Sequence, residues 1–82
     1  IQDFDEAIRL NPQTLKAYGN RGVAYYELGE YERAIQDYDE AIRLDPQSAR
    51  AYYNRGVAYQ TIGKTKEAER DFAMAKELGY DP

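Results

Sequence analysis

Apolar and small residues recur along this chain at spacings of three and four, the period of one helix face. From Leu15 to Leu28, the residues Tyr18, Gly22, Tyr25 and Leu28 form one such stripe. Gly29 follows it, and a glycine there predicts a helix stop. From Tyr31 to Leu44 a second stripe runs through Tyr31, Ala34, Ile35, Tyr38, Ala41 and Ile42. Pro46 ends that segment, because proline cannot continue the hydrogen-bond ladder and restricts the residue before it. Thr14 and Ser48 stand where N-caps of the following helices belong. The pattern predicts a unit of helix, tight turn and helix.

That unit is repeated. A shift of 34 residues lays IQDFDEAIRLNPQ at 1–13 on IQDYDEAIRLDPQ at 35–47, and 21 of 34 positions agree between 1–34 and 35–68. Between 35–48 and 69–82 only 3 of 14 agree, at Asp71, Ala75 and Leu78. Tyr18, Gly22, Tyr25, Ala34, Tyr38, Ala41 and Pro46 return as Tyr52, Gly56, Tyr59, Ala68, Phe72 and Ala75, with Tyr80 in the place of the proline. This set of offsets resembles the tetratricopeptide repeat. Both copies carry Tyr where that family usually has Trp, and Arg21 and Arg55 where it usually has Leu. The resemblance implies an all-α fold, a right-handed solenoid of antiparallel helix pairs with five helices. It divides the chain into the second helix of a truncated repeat (1–14) and two full repeats (15–48 and 49–82).

The two ends read differently. Phe4 and Ala7 hold the positions of Tyr38 and Ala41 but have no partner helix in the sequence. The parent chain is therefore expected to continue toward the N-terminus. At the other end Ile35 becomes Glu69 and Ile42 becomes Lys76. A stacked neighbour would bury both charges at a cost of several kcal/mol. Terminal repeats need a polar outer face, so 49–82 is expected to cap the array.

Composition adds a constraint on the core. Leu, Ile, Val and Phe number 14 of 82, a poverty that accompanies disorder when net charge is high. Here the net charge is only −4, and nine Tyr with eleven Ala supply a different core, rings set against small residues. Gly22, Gly56, Ala34 and Ala68 let paired helices approach, and Tyr25, Tyr38, Tyr59 and Phe72 fill the spaces between them.

Several functions are disfavoured. No apolar run approaches the ~18–20 residues of a membrane span. Without Cys there is no disulfide and no thiolate zinc site, and no cofactor or metal is expected. That absence fits the cytoplasm, which is favoured, and also a bacterial envelope. Without His or Cys, the commonest general base and the strongest nucleophile are missing, so no catalytic residue is assigned and an enzyme is not expected. The carboxylates Asp3, Asp5, Glu6, Asp37, Asp39 and Glu40 read as solvated helix faces. Arg21 and Arg55 read as ion-pairing residues whose stems pack on rings.

Charge is sorted by helix. The first helices of the repeats hold Lys16, Arg21, Glu27, Arg50 and Arg55, a net +3, and the rest of the chain carries a net −7. The family resemblance implies that first helices line a concave groove. The candidate positions are Lys16, Gly19, Asn20, Val23, Tyr26 and Glu27, then Arg50, Tyr53, Asn54, Val57, Gln60 and Thr61. Asn20 and Asn54 lie one period apart; each can pair an extended peptide backbone, or else bond within the helix framework. Lys16 and Arg50 suit carboxylates. The set resembles part of the carboxylate clamp with which some family members grip acidic C-terminal tails of chaperones, but no single register supplies all of it. The leading reading is a protein-interaction module for an extended or acidic peptide. The alternative is a structural fragment with no dedicated ligand, able to form a homodimer through its bare N-terminal helix face. Nucleic acid is disfavoured by the charge.

Overall fold

In a computed structural model, residues 1–80 form five helices: α1 Gln2–Leu10, α2 Leu15–Glu27, α3 Tyr31–Leu44, α4 Ala49–Thr61 and α5 Thr65–Glu77. No strand occurs among these described residues. Asp81 and Pro82, which close the last expected repeat, lie outside them. Each helix packs on the next, and α2 also reaches α4. This is the nearest-neighbour stacking of a solenoid.

Local chemistry sets the helix ends. Thr14 Oγ1 accepts from the Ala17 N–H at 3.5 Å, and Ser48 Oγ from the Ala51 N–H at 3.3 Å. At the α2–α3 turn, Gly29 takes φ +80°. This left-handed conformation lets the Gly29 N–H reach the Tyr26 carbonyl at 3.0 Å and the Glu30 N–H reach the Tyr25 carbonyl at 2.9 Å. Gly63 and Gly79 repeat the arrangement after α4 and α5. After α3 the stop is different. Asp45, the residue before Pro46, is extended, and its Oδ1 accepts from the Gln47 N–H at 3.0 Å. Asn11 does the same for Gln13 at 3.1 Å, so Asn and Asp at this position serve one turn.

The core is the expected mixture of small residues and rings. Ala34, Ile35, Tyr38 and Ala58 form its buried centre, with Val23, Tyr25, Tyr26, Tyr59 and Ile62 packed around it. Ala58, not singled out by the sequence pattern, is fully buried. The small residues are needed sterically. A Cβ at Gly22 would sit 2.6 Å from Tyr38 Cε1, and one at Gly56 2.8 Å from Phe72 Cε1. Two expectations need correction. Leu28, placed on the buried stripe by its spacing, is 64% exposed. It is the C-cap of α2, where Gly29 already turns the chain away from the helix axis. Asp37, assigned to a solvated face, is 4% exposed, as is its counterpart Asp71.

Candidate functional site

The two buried carboxylates explain the two unusual arginines. Arg21 donates through Nε and Nη2 to both oxygens of Asp37, each at 2.8 Å, and through Nη1 to Asp5 at 2.8 Å. One period later Arg55 grips Asp71 in the same fork at 2.8 Å and reaches Asp39 at 2.9 Å. Each guanidinium thus joins three successive helices. It also lies over two rings: Arg21 is 5.7 Å from Tyr18 and from Tyr25, and Arg55 is 5.5 Å from Tyr52 and 5.7 Å from Tyr59. Hydrogen bonding to Asp37 and Asp71 holds the two arginines above their ordinary pKa despite partial burial. These carboxylates are occupied by arginine. Among the described residues no group of three acidic, His or Cys side chains is arranged for a metal.

This geometry also corrects the charge argument. Arg21 and Arg55 entered the net +3 of the first helices, yet both are neutralised by carboxylates of the second helices. Positive charge toward the expected groove therefore comes from Lys16 and Arg50. Both are exposed, and neither joins an ion pair among the described residues.

Between α2 and α4 lies a cleft of about 320 Å³. Its walls include Lys16, Gly19, Asn20 and Val23 from α2, and Arg50 and Asn54 from α4. Tyr38 and Ala41 of α3 also line it, although the sequence marked them only as core. The placement follows from register: residues 16, 19, 20 and 23 share one face of α2. Neither Asn20 nor Asn54 has a protein hydrogen-bond partner for its side chain among the described residues, so the framework role weighed for them is not seen.

Six other candidates, Tyr26, Glu27, Tyr53, Val57, Gln60 and Thr61, do not line this cleft. Tyr26 hydrogen-bonds Thr61 at 2.9 Å, tying α2 to α4, and packs edge-on against Tyr31 at 5.0 Å. The Val57 carbonyl accepts from the Thr61 hydroxyl at 2.9 Å. Tyr53 stacks on Tyr80 at 4.5 Å and tilts against Phe72 at 5.4 Å.

Known proteins share both the pattern and the shape. Family models described as TPR repeat and tetratricopeptide repeat match residues 24–63, 4–36 and 49–78. Comparison with curated proteins finds no match. Among solved structures, YrrB, described as a TPR protein with an unusual peptide-binding site, is 35% identical with a TM-score of 0.90, over 95% of this chain and 40% of that one. The second TPR of Spaghetti (RPAP3), solved bound to the HSP90 peptide SRMEEVD, is 32% identical with a TM-score of 0.89, over 92% and 69%. The Arabidopsis OM64 TPR domain is 37% identical with a TM-score of 0.90, over 93% and 63%. The chain thus spans well under two thirds of YrrB and just under two thirds of the OM64 domain. With its 34-residue period, paired helices and ring-against-glycine packing, the chain belongs to the tetratricopeptide repeat family.

Proposed function

We propose that this chain is a protein-interaction module that holds an extended peptide, preferentially acidic, along the surface formed by α2 and α4. One observation carries the reading: Lys16, Arg50, Asn20 and Asn54 line a single cleft, and among the described residues the side chains of the first two join no ion pair and those of the last two no hydrogen bond. Two cations suit carboxylates, and two amides that both donate and accept suit a peptide backbone. The solved Spaghetti relative, bound to the HSP90 peptide SRMEEVD, lends support from outside the chain. Electrostatic attraction in so open a site acts mainly on encounter rate and orientation.

Binding of a labelled acidic peptide, followed by fluorescence anisotropy, tests this. Affinity is expected to fall as ionic strength rises from about 0.1 M to about 1 M, which shortens the Debye length from ~10 to ~3 Å. It is also expected to vanish in the Lys16→Ala, Arg50→Ala double variant. Affinity unchanged by that variant refutes the basic-cleft reading. A second reading, self-association through α1, draws on the finding that α1 buries no residue. Sedimentation at high concentration reads it directly, and a monomer rejects it.

A further inference from the structure

The two repeats differ at one place in this cleft, and the difference suggests what enters it. Gly19 and Tyr53 occupy equivalent positions, one period apart. A Cβ built at Gly19 meets nothing within 4 Å, so the space above it is open. Tyr38, equivalent to Phe72, lines the cleft there. In the second repeat the corresponding space is filled by the chain itself. Tyr53 packs its ring against Phe72 at 5.4 Å, and Tyr80 stacks on the Tyr53 ring at 4.5 Å. The first repeat has Gly19 in place of Tyr53 and Pro46 in place of Tyr80, so both of those rings are missing.

We infer that the Gly19 cleft receives an aromatic side chain of the bound peptide, which takes the place that Tyr53 fills one repeat later. This rests on the peptide-binding reading above and names the side chain it selects. The cleft, about 320 Å³, is at the small end of ligand sites, which run ~300–1,000 Å³. It suits one or two side chains better than a cofactor. Its apolar contact comes from half-buried Leu15 and Val23, with Tyr38 and Ala41 lying almost wholly covered beneath them. Its rim carries Lys16 and Arg50, whose charge favours carboxylates beside the ring. Successive side chains of an extended peptide alternate in direction, so an acidic residue next to an aromatic one reaches the rim while the ring enters the cleft. The occupant is therefore a peptide segment with Phe or Tyr flanked by Asp or Glu.

The test uses two labelled peptides, Asp-Glu-Phe-Glu-Asp and the same peptide with Ala for Phe. The unaltered chain is expected to bind the Phe peptide about tenfold tighter, less than full burial of a ring would give because the cleft is open on one side. Gly19→Tyr fills the cleft with the residue the chain already uses at position 53 and is expected to erase that preference. Circular dichroism establishes that the variant is helical, and the peptide pair on the unaltered chain is decisive even where the variant does not fold. Equal affinity for the two peptides overturns this inference and leaves the acidic-peptide reading standing. Failure to bind either peptide overturns both. A preference that survives in folded Gly19→Tyr overturns the placement of the ring. A chain that dimerises alone, and becomes monomeric as Gly19→Tyr, has a second copy as the occupant and also overturns it.

Discussion

Arg21 and Asp37, 16 residues apart, form a two-pronged ion pair in which the Asp37 side chain is 6% exposed and the Arg21 side chain 21%. Burial of this kind makes the pair asymmetric in its consequences. Removing one partner strands the other charge, at a cost of ~3–5 kcal/mol, whereas replacing both can be close to neutral. Arg21→Leu installs the residue usual in the family but leaves Asp37 without its donors. It is expected to lose several kcal/mol, which in a chain of this size moves Tm by more than about 10 °C. Arg21→Lys is expected to fail partly as well, since one ammonium cannot make the fork and still reach Asp5. With Asp37→Asn added to Arg21→Leu, the loss should be smaller than the sum of the single changes by at least ~1 kcal/mol. Thermal denaturation of the four proteins measures this coupling. Additive single losses contradict it.

The glycines Gly19 and Gly22 lie on the same helix and should respond in opposite directions. A methyl at Gly22 falls 2.6 Å from a ring carbon of Tyr38, which is itself buried and cannot retreat. Overpacking of that sort costs ~1–3 kcal/mol and outweighs the gain in helix propensity. A methyl at Gly19 meets open space, so only the propensity gain of up to ~1 kcal/mol remains. Urea titration is expected to show Gly22→Ala destabilised and Gly19→Ala stabilised. Gly56→Ala should follow Gly22→Ala, since its methyl meets Phe72 at 2.8 Å and Asp71 Cβ at 3.2 Å. Two shifts of the same sign at Gly19 and Gly22 would contradict the packing described.

What could be read from the sequence was whatever depends on local rules. Helix stops at Gly29 and Pro46, caps at Thr14 and Ser48, and the Ala34–Tyr38–Ala41 stripe follow from backbone geometry and period. The convergence of Lys16, Asn20, Arg50 and Asn54 follows from register once neighbouring helices stack. Other features depend on partners far along the chain. Asp37 looks like one more exposed helical carboxylate until Arg21 is brought against it by the helix pairing. Tyr53 has the right register for the cleft. Its ring is drawn instead to Tyr80, which stands where the other repeat has Pro46. Leu28 fits the helical period, yet the helix stops one residue before it. Net charge per helix failed as a guide to the groove because it counted Arg21 and Arg55 without the carboxylates that neutralise them.

Tyr38 gives the fold a pH dependence at the alkaline end. It is 2% exposed, and burial, followed by the negative charge of Asp37, pushes its hydroxyl from 10.0 up to about 12. Tyr59 is shifted upward as well, also by burial first. Between pH ~10 and ~12 the unfolded chain therefore gives up a proton that folded Tyr38 retains. The unfolded state binds fewer protons in that window, so stability is fully present below about pH 10 and is lost as pH rises through about 12. Tyr38→Phe removes this proton. The substitution is mild at neutral pH for two reasons: Phe72 already fills the equivalent position, and the Tyr38 hydroxyl has no hydrogen-bond partner among the described residues. A volume-conserving swap of this kind costs less than ~1.5 kcal/mol. Tm measured from neutral pH to about pH 12 is expected to fall more steeply for the native chain than for Tyr38→Phe. Absorbance of tyrosinate should show one late-titrating group fewer in the variant. Parallel Tm curves would mean that Tyr38 ionises as freely in the folded chain as in the unfolded one.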